Sequence, residues 1–239
     1  MDLELYRPTK PLPTGRLSVL TREELLRHRL EHRNAVKRRL EEFAALKKAS
    51  ATRLFYELCY CILTPQSKGL VCDRIVADLA GRGVLLEPVT RRGELEVALQ
   101  RTRFWRTKTR HILEAWRRFG PCGEEPLDAL LREAGCFQSP VDFRDWLRER
   151  MRGVGVGLKE TSHFLRNIGY GDGLAIIDRH VIRCLAELGV LGAAEGSIRS
   201  EGDYRRVESM AAAFSLRLQI PLAELDLLLW SAKTGYIFK

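Results

Sequence analysis

Apolar residues recur along most of this chain at intervals of three and four, the spacing that builds one face of an α-helix. Over residues 21–48 the recurring positions are Leu26, Leu30, Val36, Leu40 and Phe43, set among many Arg, Lys and Glu. Thr21 followed by Glu24 has the form of a capping box at the start of that helix. Residues 52–63 predict a second helix, ended by Thr64-Pro65, and another is expected to begin near Gln66. Further helical stretches cover 93–100, 107–119, 127–134, 141–151, a run from Leu158, 179–188, 203–218 and 221–232. Pro221 suits the first turn of the last one. Period-two alternation is nearly absent, and there is no internal repeat or low-complexity tract. The fold class expected is all-α, many short helices joined by short loops.

A chain of 239 residues is long enough to bury a sizeable core, as one large domain or two small ones. Its formal net charge of +9 puts polyanions first among candidate partners. The N-terminus lacks the basic start and apolar core of a signal peptide. No apolar run approaches the roughly 18–20 residues of a membrane helix. The expectation is a soluble, intracellular protein with no membrane partner. Cys59, Cys61, Cys72, Cys122, Cys136 and Cys184 form no CxxC pair and no zinc or iron–sulfur spacing, and read as buried or idle thiols.

Candidate chemistry gathers at two helix starts. Gly155-Val156-Gly157 lies between the 141–151 helix and the one from Leu158. Two glycines one residue apart allow positive φ and close backbone approach. The next helix then offers free N–H groups and the positive end of its dipole to an anion such as phosphate. This describes a helix–hairpin–helix nucleic-acid motif, with an ordinary αα-corner as the bland alternative. Lys159 follows, one of only nine lysines among forty basic residues. An amine at a positive helix end is expected to release its proton more readily, and a neutral amine can attack carbon to form a Schiff base, which arginine cannot. Asp178, nineteen residues on, precedes the apolar face Val181, Ile182, Leu185 and Leu188. It reads as an N-cap, and equally as a carboxylate able to accept a proton or stabilise charge developing on a sugar.

Taken together these residues resemble the helix–hairpin–helix, Gly/Pro…Asp superfamily of base-excision DNA glycosylases, and more finely the archaeal-type 8-oxoguanine DNA glycosylases. The motifs that carry the resemblance are Lys159–Asn167, Ile176–His180, Leu63–Ser67, Arg103-Phe104 with Lys108, and the run from Trp230 to Lys239. It spans roughly residues 50–239. It implies two helical subdomains with an active-site cleft between them, 50–171 ending in the hairpin, and 1–49 with 172–239. It implies a bifunctional glycosylase and AP lyase: Lys159 attacks C1′ of the damaged nucleotide, β-elimination nicks the strand 3′ to the lesion, and Asp178 assists. Duplex DNA with oxidised guanine is the implied partner, met by a monomer in the cytoplasm, at the nucleoid. No cofactor is required. A K+ or Na+ held by hairpin carbonyls at Gly155 and Gly157 is implied, and an iron–sulfur cluster is not, because only Cys184 follows Lys159.

The target base must be flipped out of the stack. Gln66 and Ser67 stand where this superfamily fills the vacated space, or else cap a helix. Phe104 is a wedge beside the orphaned cytosine, or a core aromatic. Arg179 and His180 are expected at phosphate, Trp230 and Lys239 around the flipped base. A chain end at Lys239 is expected to bring into the pocket an α-carboxylate able to accept the N7–H by which 8-oxoguanine differs from guanine, with a frayed tail as the alternative. Val154 departs from the family, where a basic residue is common. The rival readings are a glycosylase for another damaged base and a non-catalytic hairpin module that only binds DNA.

Overall fold

Caps and buried stripes set the helix boundaries. The computed structural model describes residues 6–192 and 196–239, and among the described residues are eleven α-helices and one two-stranded antiparallel sheet. The all-α class is what is found. Contacts divide the chain into two units.

The first unit takes the described residues up to Thr9 with Lys48–Phe164. Its centre is α2 (Ala51–Leu63), started by Ser50, whose hydroxyl accepts from Arg53 N. Every residue from Leu54 to Leu63 is buried, as suits a helix with no polar face. Helices α3 (Gly69–Gly81), α5 (Trp105–Phe119) and α6 (Leu127–Arg132) pack against it, and α4 (Arg92–Leu99) lies against α3 and α5. Then come α7 (Pro140–Arg150), with Ser139 as cap and Pro140 in its first turn, and α8 (Leu158–Asn167), whose last three residues belong to the second unit. The helix expected near Gln66 begins at Gly69 instead. Residues 64–67 form a tight turn, Ser67 N to Thr64 O at 3.0 Å, in which Gln66 takes a left-handed φ of 53° that no α-helix continues.

The second unit takes Lys10–Lys47 with Leu165–Lys239. Here α11 (Leu222–Thr234) is central. Against it pack α1 (Arg22–Ala45), α9 (Arg179–Glu187), α10 (Glu201–Leu218) and β2 (Tyr236–Ile237), which pairs with β1 (Leu12–Pro13). The Thr21–Glu24 capping box is present. The buried stripe of α1, however, is Leu25, His28, Val36, Arg39 and Phe43, while Leu26 and Leu30 are 37% and 76% exposed. Polar anchors turn the helix away from the expected leucines: His28 Nε2 meets Ser231 Oγ at 2.8 Å, and Arg39 donates to Lys10 O at 2.6 Å. Pro221 stands at the N-cap of α11, one place earlier than expected. Strands of two residues each are too short to show alternation, so the sheet left no trace in the sequence pattern. Among the described residues no helix is long and apolar enough to cross a membrane.

Candidate active site

Lys159 is the second residue of α8, reached through a turn with Gly153 at φ 91° and Gly155 at φ 76°. Gly155 is required twice over. A side chain strains at that φ, and an added Cβ would overlap the His111 ring of α5, 2.5 Å from its Cε1 and closer still to Nδ1. Val154 and Val156 on either side are buried and root the turn in the first unit. Val154 is wholly inaccessible, so the departure from a basic residue there has a packing reason. The two helices of the motif are stapled by Arg144 of α7, fully buried, which donates to Ser162 Oγ of α8 at 3.0 Å. Gly157 O accepts both Thr161 N and Thr161 Oγ1 at 2.9 Å. The Glu160 carboxylate closes the first turn: Oε2 accepts Gly157 N–H at 3.2 Å and Oε1 lies 2.9 Å from Lys159 Nζ. The Lys159 side chain is 27% exposed, so solvent reaches it.

In the same unit, Gln66, Ser67 and Phe104 are brought together by Lys108. Lys108 is 4% exposed, and its ammonium donates to Leu63 O at 2.6 Å, Pro65 O at 2.9 Å and Ser67 Oγ at 2.9 Å. Burial holds its pKa below the usual lysine range, and the nearby Lys159 charge acts in the same direction. Ser67 Oγ in turn accepts Arg103 N–H at 3.2 Å. Ser67 caps no helix; Lys68 precedes α3 with no side-chain cap. Phe104 has φ 59°, leads directly into α5 and is 52% exposed, so it is a projecting ring rather than a core aromatic. Gln66 is exposed as well. Two exposed left-handed residues, Gln66 next to Ser67 and Phe104 next to the Arg103 whose amide Ser67 accepts, form the ridge.

In the second unit, Asp178 is the N-cap of α9, its Oδ1 accepting His180 N at 2.8 Å and Val181 N at 2.9 Å. The capping expectation holds. The extended run before it is held by buried side chains: Asp226 Oδ1 accepts Ile176 N at 3.0 Å, Tyr204 donates to Ala175 O at 2.8 Å, and Glu208 accepts Ala175 N at 3.3 Å. Asp226 pairs with Arg166 at 2.8 Å; burial pushes the Asp226 carboxyl up to about 6, against the opposing pull of Arg166. Arg179 is exposed. His180 is half-buried and edge-on to Trp230 at 6.4 Å. Burial lowers its pKa, with Asp178 opposing. Trp230 meets Tyr236 at 5.2 Å, and Tyr236 meets Phe238 at 6.2 Å. Phe238 and Lys239 are buried.

A family model described as 8-oxoguanine DNA glycosylase matches residues 36–220, which include Lys159 and Asp178. The chain belongs to the 8-oxoguanine DNA glycosylase family. It is similar to the 8-oxoguanine DNA glycosylase/AP lyase of Methanocaldococcus jannaschii, 33% identical over 211 residues, covering 87% of this chain and 94% of that one. It is also similar to the enzyme of that name in Fusobacterium nucleatum, 30% identical over 204 residues, covering 85% and 90%. Among solved structures, the M. jannaschii glycosylase in complex with a 15mer DNA containing 8-oxoguanine superposes with TM-score 0.74 at 30% identity, covering 91% of this chain and 98% of that one. The 8-oxoguanine DNA glycosylase of Thermotoga maritima gives 0.75 at 29%, covering 91% and 97%.

Around these family residues the fold adds others whose part the sequence did not reveal. Glu160 sits inside a quoted motif, yet its reach to both Gly157 and Lys159 is visible only once the first turn is built. Asp226 lies 48 positions from Asp178, and no spacing rule links them. The thiols of Cys59, Cys72 and Cys184 are not rival nucleophiles: burial pushes Cys72 and Cys184 up to about 12 and Cys59 higher still.

Proposed function

We propose that this chain excises 8-oxoguanine from duplex DNA and then, as an AP lyase, nicks the strand 3′ to the lesion. The observation that carries the reading is Lys159, a partly exposed side chain in the first turn of α8, just beyond the left-handed Gly155. The free N–H groups of that turn, with the helix dipole behind them, hold the phosphate flanking the lesion. The neutral Lys159 amine attacks C1′, and the C1′–N9 bond breaks with its electron pair leaving on the base. Ring opening gives the Schiff base, loss of a C2′ proton follows, and the 3′ phosphate departs. Asp178, with only one carboxylate oxygen occupied by capping, accepts protons and stabilises the developing sugar charge.

The ridge of Gln66 and Phe104 enters the space vacated by the flipped nucleotide, with Ser67 bracing it, and Trp230 and Lys239 line the base pocket. Arg179 and His180 take a neighbouring phosphate. A monovalent cation at the hairpin would be held by the carbonyls of Gly155 and its neighbours, since Gly157 O is already committed to Thr161. The protein acts as a monomer, in the cytoplasm, on the nucleoid.

Borohydride trapping on an 8-oxoguanine·C duplex tests the reading. The chain should leave a covalent adduct and a nicked strand, and Lys159→Gln should do neither while still binding DNA. Absence of any adduct from the unaltered protein overturns the function, and nicking retained by Lys159→Gln overturns the nucleophile. An adduct formed preferentially on another lesion reassigns the base.

A further inference from the structure

Residues 12–20 run along the end of α11 and β2, all within the second unit. Leu12 and Pro13 pair with Ile237 and Tyr236. Thr14 N donates to Gly235 O at 2.9 Å, Arg16 Nε to Thr234 O at 3.1 Å, and Leu17 N to Ala232 O at 2.7 Å. These acceptors are the last carbonyls of a helix, which have no partner inside it. Lys233 reaches back to Leu17 O at 3.3 Å and Ser18 O at 3.2 Å and pairs with Glu187, which also accepts Leu20 N at 2.9 Å. The chain reverses at Gly235, φ 88°, where an added Cβ would stand 2.9 Å from Arg16 Cγ.

What this segment grips is the tail that carries Tyr236 and Lys239 and that packs on Trp230. Apart from Leu20, which is buried, it adds little to the core: Pro13, Gly15, Arg16, Ser18 and Val19 are exposed. Its bonds fall on the last carbonyls of α11 and on the tail backbone from Gly235, each contributing about 1 kcal/mol net, enough together to hold a few residues in one place. The family model stops at residue 220 and starts at 36, so segment and tail lie outside it together, while Lys159 and Asp178 lie inside.

We infer that residues 12–20 are a positioning strap: by holding Gly235 and the β2 tail against Trp230, they set the shape of the base pocket without touching the base. The inference rests on the proposed excision of 8-oxoguanine. It separates two activities, since removing the base needs the pocket, whereas nicking an existing abasic site needs only Lys159 and its helpers.

The test uses Arg16→Ala and Gly235→Ala in the full chain. Single-turnover excision on an 8-oxoguanine·C duplex should fall about tenfold or more in both, with nicking of a preformed abasic duplex kept within about twofold. Hydrogen exchange at the amides of residues 236–239 should rise about tenfold in both. Excision unchanged, or both activities falling in step, overturns the strap. A phosphate contact by Arg16 would weaken both reactions in Arg16→Ala and neither in Gly235→Ala. Unchanged amide protection overturns the strap whatever the substrate, and a parent protein that nicks abasic DNA but excises no 8-oxoguanine overturns the functional reading instead.

Discussion

Lys108 Nζ stands 2.9 Å from Ser67 Oγ, and the same hydroxyl accepts the Arg103 amide at 3.2 Å. One buried ammonium thereby fixes both the turn that projects Gln66 and the residue that precedes Phe104. Lys108→Met keeps the aliphatic stem and takes the ammonium from three acceptors; Leu63 O still accepts Cys72 Sγ and Ser67 Oγ still accepts the Arg103 amide, while Pro65 O loses its donor. The expected loss is about 1–3 kcal/mol in chemical denaturation. Excision of paired 8-oxoguanine should fall further than nicking of a preformed abasic site, because only the former requires the ridge to hold an opened stack. Equal losses in the two reactions would show that Lys108 supports the fold alone.

Gly155→Ala meets two obstacles, a φ of 76° and the His111 ring. Positive φ for a side-chain-bearing residue costs about 1 kcal/mol or more, and the overlap forces the ring or the turn to move. Trapping and DNA binding should drop together, unlike Lys159→Gln, which should lose trapping alone. Mobility-shift titration beside borohydride trapping distinguishes the two. Gly157→Ala should be milder, since its Cβ would lie 3.4 Å from Glu160 Oε2, at the edge of ordinary contact.

Much of this was legible in the residues. Local chemistry writes its own signature: Thr21 with Glu24, Asp178 before an apolar face, and glycines flanking Val156 each act through neighbours within four positions. What failed to read depends on distant partners. Pro65-Gln66-Ser67 looks like a helix start because proline and serine favour one, but Lys108, forty-one positions away, bends the segment into a turn instead. Leu26 and Leu30 fit a helical stripe by spacing, yet His28 and Arg39 take the buried side because Ser231 and the Lys10 carbonyl wait there. Phe104 as an aromatic defaults to the core; its left-handed backbone, which sequence does not reveal, turns it outward.

His28 makes stability depend on pH. Ser231 Oγ donates to Leu228 O at 3.0 Å, so it must accept from His28, which fixes the neutral ring with its proton on Nε2. Burial first, and His32 second, lower the His28 pKa to about 4. A folded pKa below the unfolded value of about 6.5 means the contribution is fully present above pH about 6.5 and is lost as pH falls toward about 4. His28→Gln keeps a donor for Ser231 and cannot titrate. Urea denaturation across that window should show the parent losing about 1.4 kcal/mol per pH unit relative to the variant; parallel curves would remove His28 as the source.

The pair Arg166–Asp226 separates stability from positioning. Asp226→Ala leaves the Arg166 charge buried without its partner, and breaking such a pair costs about 3–5 kcal/mol. Replacing both residues by apolar ones of similar volume, Arg166→Met with Asp226→Leu, removes the orphaned charge and should restore most of that loss. Excision should not return with it. Asp226 Oδ1 is also the acceptor for Ile176 N, the bond that sets the extended run ending at Asp178, and leucine cannot replace it. The double variant is therefore expected to melt near the parent and to excise 8-oxoguanine about tenfold more slowly or worse, the size expected when a carboxylate is displaced by a fraction of an ångström to one ångström. If excision recovers along with stability, Asp178 is held by its own capping bonds to His180 and Val181, and the Asp226 contact serves the core only.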